Sequence, residues 1–131
     1  MEYLLDTDTC VDLLRGVRAV VRKLGQLGPE DCAISAITSF ELFAGAAKAR
    51  QPSVETEKVR RLVEVIEEIS FDSEAARHAG QLRHRLDKAG TPIGPYDLLI
   101  AAHALALDVT LVTANTVEFG RVSDLRIENW R

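Results

Sequence analysis

Tyr3-Leu4-Leu5-Asp6-Thr7 decides how the rest of the chain is read. Both alternating sets of residues 2–6 are mostly apolar, as in a strand buried on its two faces. The run stops on an acid, and residues 8–16 then carry Val11, Leu13 and Leu14 at helical spacing with Gly16 as the stop. A strand covered on both sides needs helices above and below it, which points to an α/β architecture.

The same rhythm continues downstream. Residues 18–27 read as a helix closed by Gly28-Pro29, and Cys32-Ala33-Ile34 as a second strand. Ser35 caps a helix running to about Lys48. Gln51-Pro52-Ser53 breaks the pattern, with Ser53 a cap for a helix over 54–66. Glu68 to Phe71 is a candidate third strand, and a long helix follows from Asp72 or Ser73 to about Lys88, ended by Gly90. Pro95 suits the first turn of a helix reaching Leu107. Val109 to Thr113 is a fourth strand, a single turn lies near 116–119, and Leu125 to Ile127 is a candidate fifth strand. Short strands alternating with helices predict a three-layer α/β/α sandwich with a mainly parallel sheet of four to five strands. With 131 residues and no repeat or linker, residues 1–131 are expected to form one domain.

Composition narrows the function. Hydrophobic residues are 47% and charged residues 27%, ordinary for a globular domain. No apolar run approaches the roughly 18 residues of a membrane span. The first six residues carry no basic segment, so a cytoplasmic protein with no membrane partner is expected. Cys10 and Cys32 fit that compartment as free thiols, although spacing alone leaves a disulfide open. There is no C-x-x-C pair, and the three histidines are scattered, which argues against zinc. The net charge of −4 argues weakly against nonspecific nucleic-acid binding.

Four polar positions fall where an open α/β sheet binds ligands, beyond the carboxyl ends of its strands. Asp6 ends the first strand, Glu41 lies in the helix after the second, Asp97 starts the helix before the fourth, and Asn115 follows the fourth. Helix capping competes with a ligand role at Asp6, Asp97 and Asn115. Glu41 shares a helical stripe with Ile37, Phe40 and Ala44, where an unpaired carboxylate is costly. Acids gathered at one edge repel one another, and a divalent cation reverses that penalty. Oxygen donors without cysteine or histidine suit magnesium or manganese. Such ions make a bound water more acidic and stabilise the leaving oxygen of a phosphodiester.

These residues carry a resemblance. The chain resembles the PIN-domain ribonucleases, in particular the toxins of the VapBC toxin–antitoxin type. The segments concerned are Tyr3 to Thr7, Ser35 to Gly45 around Glu41, Ile93 to Ala102 around Asp97, and Leu111 to Asn115 with Phe119 and Trp130. They cover the chain from its first strand to its last residues, in order. The resemblance implies a PIN-like fold and a magnesium- or manganese-dependent endoribonuclease. It makes Asp6, Glu41 and Asp97 the metal ligands, adds Asn115 to the catalytic set, and makes Thr7 and Thr113 supporting hydroxyls. It further implies a homodimer and an inhibitory antitoxin that places a segment, often with arginine, at the acids. Where the family commonly has asparagine this chain has Asp8, which either adds charge near the site or, the favoured reading, caps a helix.

Other readings stay open at this point. A phosphoacceptor module also gathers acids at a sheet edge, but it expects a lysine after the last strands, and Lys88 is the final lysine. A PIN-like domain that binds RNA or protein without cutting would not need all three acids. A deoxyribonuclease would use the same ions. Phe40, Phe43 and Phe71 read as core; Arg77, Arg83, Arg85 and Lys88, and Arg15, Arg18, Arg22 and Lys23, read as solvated faces, with contact to RNA phosphates the alternative; Leu62, Val63, Ile66 and Ile69 read as internal packing or an interaction surface.

Overall fold

The computed structural model describes residues 1–131. Its centre is strand β1 (Tyr3–Leu5), flanked by β2 (Cys32–Ser35) and β4 (Thr110–Val112). The edges are β3 (Glu67–Ile69) and β5 (Ile127–Glu128), giving the order β3-β2-β1-β4-β5. Every pairing is parallel. Register explains the two cores. Leu4 lies beside Ala33 and Leu111, and Leu5 beside Val112. Successive strand side chains point to opposite faces, so the first trio belongs to one core and Leu5, Ile34 and Val112 to the other.

Helices α5 (Ser73–Ala89) and α6 (Pro95–Leu107) cover the first face. Helices α1 (Thr7–Leu14), α2 (Arg18–Leu27), α3 (Ala36–Ala47) and α4 (Pro52–Val65) cover the second. The three-layer sandwich with a parallel sheet is therefore as expected. Helix α2 and α6 occupy the spans read from the sequence, and Gly28 and Gly90 end their helices with φ of 97° and 72°, where a side chain would be strained. No helix is long and apolar enough to cross a membrane.

Several expectations are corrected. Helix α4 starts at Pro52, not after Ser53, because proline's fixed φ and missing N–H suit a first helical position. Strand β3 begins at Glu67, and β5 lies at Ile127–Glu128 rather than 125–127, since Leu125 is needed in the core. A 3-10 turn at Pro29–Asp31 separates α2 from β2. Phe40 and Phe43 are not core: they are 50% and 37% exposed, because α3 buries Thr38, Ser39, Leu42 and Ala46 instead. Phe71 does pack on the core. Ile66 is buried and Leu62, Val63 and Ile69 pack behind it or on the opposite core, so these residues serve internal packing. Both cysteines are buried free thiols. Trp130 closes the second core, edge-on to Tyr3, with its indole N–H donating to Glu128.

Candidate metal centre

The strand order reverses direction between β1 and β4: the chain runs outward from β1 through β2 and β3, then returns to β4 and β5. Beyond the carboxyl ends of two such strands the flanking helices diverge and leave a crevice. Asp6 and Thr113 stand at that point, one residue past β1 and β4. The Thr113 hydroxyl donates to Asp6 Oδ2 at 2.8 Å. Asp6 Oδ1 accepts from the Thr7 backbone N–H at 2.8 Å, so it caps α1 as well. Asp6 is 4% exposed, and burial, followed by the charge of Asp8, pushes its carboxyl up to about 7 despite these bonds. The capping reading of Asp6 is realised, and the same side chain faces Thr113 across the sheet.

Asp8 does not cap α1, because Asp6 already does. Its carboxylate turns toward the crevice and accepts from the Ala114 backbone N–H at 3.2 Å. Glu41 reaches the same region from α3. It is half-buried rather than stranded on an apolar stripe, and Thr7 Oγ1 donates to its Oε1 at 2.7 Å. Thr7 and Thr113 thus each donate a hydroxyl hydrogen bond to one of these carboxylates.

Asp97 sits in the first turn of α6. Burial comes first in raising its carboxyl to about 7, followed by a hydrogen bond to Glu118 and by the charges of Glu118, Glu41 and Asp8. Glu118, in the single-turn helix α7 (Thr116–Phe119), is held below the usual carboxylate range. The Gly94 backbone N–H, 2.6 Å from its Oε1, is the main cause. Below about pH 7 the proton of this pair therefore favours Asp97 over Glu118. Asn115 caps α7 through Oδ1 and donates from its amide to Glu118 Oε2 at 2.9 Å. It reaches the site by holding Glu118.

Glu118 was missed by the sequence reading. Its signal was Asn115-Thr-Val-Glu118, an Asn three residues before a Glu at a helix start. Asp12 was also missed. It is buried on α1, one turn past Asp8, and Arg131 binds it in a fork through Nε at 2.7 Å and Nη2 at 3.0 Å. That pairing keeps its charge from adding to the acidic edge. His103 serves packing: it is buried, accepts or donates at Nδ1 with Ser35 Oγ at 2.8 Å, and stands edge-on to Phe71.

The crevice thus gathers Asp6, Asp8, Glu41, Asp97 and Glu118 from four separate segments. No three of them stand in ready metal-holding geometry. The donor chemistry nevertheless fits a hard divalent cation. The donors are carboxylate oxygens, and two of those carboxyls, Asp6 and Asp97, are driven toward protonation first by burial and then by neighbouring carboxylates. A cation of charge two held by these carboxylates would offset that penalty.

Comparison with known proteins shows the family. The PIN domain family model matches residues 3–125. The chain is 37% identical over 130 residues to the tRNA(fMet)-specific endonuclease VapC of Salmonella typhimurium, covering 99% of this chain and 98% of the relative. It is 33% identical over 132 residues to the ribonuclease VapC1 of Haemophilus influenzae, covering 99% and 98%. Among solved structures it is similar to DNA-bound VapBC from Salmonella typhimurium, with a TM-score of 0.95 and 36% identity over 100% of this chain and 99% of that one.

Proposed function

The chain belongs to the PIN-domain family, as a ribonuclease of the VapC type, and we propose that it is a magnesium- or manganese-dependent endoribonuclease whose metal ligands are Asp6, Glu41 and Asp97. It is the toxin of a VapBC-type pair, so RNA is its substrate and an antitoxin its partner. Residues 1–131 act as one PIN domain. The observation that carries the metal reading is the crevice between β1 and β4, where buried carboxyls resist ionising.

Hydrolysis adds water across a phosphorus–oxygen bond: the water oxygen joins phosphorus, and the bridging oxygen leaves with a proton. The divalent cation supplies positive charge for the phosphate and makes the attacking water more acidic. The chain's own groups do the rest. Thr113 and Thr7 fix the rotamers of Asp6 and Glu41. To Glu118, ionised and held by Gly94 and Asn115, we assign the role of accepting the water's proton. An antitoxin arginine meets unfilled carboxylates here, which explains inhibition by charge-assisted hydrogen bonding. The family resemblance also implies a homodimer, for which Phe40 and Tyr96, exposed and edge-on to each other, are candidate contacts.

The test is cleavage of total cellular RNA by antitoxin-free protein. Discrete fragments with magnesium or manganese, and none with chelator, are expected. Cutting that ignores chelator would reject the metal reading, and a preference for single-stranded DNA would reject the substrate. Glu118→Gln keeps the shape and the Gly94 contact but removes the base. It should lower kcat about 100-fold and leave KM nearly unchanged. An unchanged kcat would remove Glu118 from the reaction.

A further inference from the structure

Thr7 and Glu41 have a second surface besides the crevice. They line one end of a groove of about 770 Å³ between α1, α3 and α4. Its apolar lining includes Val11, Leu42 and Val59. Its charged lining is Arg15, Arg50 and Lys58 with Glu41 and Glu55. Lys58 is already paired with Glu55 at 3.2 Å. Arg15 and Arg50 make no ion pair, whereas most arginines of the chain do. In a chain of net charge −4, two unspent guanidinium groups share one groove that opens at a site carboxylate.

Free cations beside an apolar lining match one kind of polymer well. An unpaired nucleic-acid strand offers phosphates along one side and base and sugar faces along the other. A groove of this size is on the scale of a pocket for a ligand of roughly 300–1,000 Å³, which admits a nucleotide or two and excludes a duplex. The acidic crevice cannot hold flanking phosphates itself, because its carboxylates repel them. The strand must leave the reacting phosphate toward positive charge, and the groove offers it.

We propose that this groove carries the unpaired RNA strand on one side of the cut, with Arg15 and Arg50 as positioning residues that grip its phosphates. The proposal rests on the ribonuclease reading above. It predicts a preference for unpaired RNA set by groove width, and it gives an acidic protein a localised way to hold a polyanion.

The experiment compares wild type with R15Q/R50Q on an oligonucleotide that wild type cuts, and on the same oligonucleotide trimmed in turn on each side of the cut. On the full substrate the double variant should raise KM about 10- to 30-fold with kcat retained. Its log–log salt dependence should be shallower by about 1.4, two phosphate contacts at about 0.7 each. Trimming one particular side should cost wild type a similar factor and cost the variant little more, because both changes remove the same contacts. R15K/R50K, which keeps the charges, should recover most of the loss. Equal KM and salt slope in wild type and the double variant would overturn the proposal, as would losses that add fully to those of trimming on both sides. If cleavage is normal but the antitoxin no longer inhibits the double variant, the groove belongs to that protein and not to RNA. A wild type that cuts no RNA under any metal condition would instead overturn the ribonuclease reading itself.

Discussion

Asp97→Asn is expected to abolish RNA cleavage while the metal-free protein becomes no less stable. The two effects have one cause. Asp97 lies in the first turn of α6, where burial, Glu118 and Glu41 all oppose its negative charge. The asparagine has almost the same volume, can still donate to Glu118, and has no charge to desolvate. At pH 8 the wild-type carboxyl, raised to about 7, is mostly ionised in the folded state and costs stability there. The variant escapes that cost. With metal present the account reverses, because one of three ligand charges is gone. The expected loss in kcat/KM is on the order of 100-fold or more, since even groups that only orient a ligand cost 10- to 100-fold when removed. Thermal melting in chelator and initial cleavage rates in magnesium are the two measurements. A variant that cuts at the wild-type rate in low magnesium would remove Asp97 from the site. A variant that fails to fold would show Asp97 to be structural, and would contradict the electrostatic argument as well.

What could be read without coordinates divides along a physical line. Patterns set by neighbours in sequence were legible. The spans of α2 and α6 follow from apolar spacing, Gly28 and Pro95, and the central strand follows from an apolar run that ends on Asp6. Asp6, Glu41 and Asp97 stood out because acids at strand ends or on apolar helices are expensive. What was not legible depends on distant segments. Phe40 and Phe43 looked like core because α3 is apolar on most sides, and only packing against α4 and α1 decides that Thr38, Leu42 and Ala46 turn inward. Asp8 looked like a cap because nothing local says that Asp6 has already taken that position. Glu118 is the clearest case. Its role is created by the Gly94 N–H, 24 residues away, and by Asp97, neither of which leaves a mark near residue 118. Asp12 is similar, since its partner Arg131 lies 119 residues along the chain.

Manganese is expected to raise the melting temperature by about 10 °C at pH 8 and by clearly less at pH 5. The sign follows from the direction of the shifts. Asp6 and Asp97 have carboxyls near 7 when folded and near the ordinary value when unfolded. Between about pH 4 and 7 the folded chain therefore binds more protons than the unfolded one, and metal-free stability falls as pH rises through that window. Below it both groups are protonated and the penalty is absent; above it the penalty is complete. A cation binds the ionised carboxylates and must displace protons at pH 5, so its stabilisation grows over the same window in which stability of the free protein declines. At a concentration 100 times the dissociation constant, binding to the folded state alone adds about 2.7 kcal/mol, and in a domain of this size each kcal/mol moves the midpoint by about 4 °C. Asp97→Asn should lose most of the shift at pH 8, because the site keeps Asp6 and Glu41 but not the third charge. A shift equal at both pH values would place the ion on carboxylates of ordinary acidity, away from Asp6 and Asp97. No shift at millimolar manganese and pH 8 would mean that these acids do not form a metal site in the absence of RNA, and the crowding of charge at the β1–β4 crevice would then have to be balanced by a partner's cations instead.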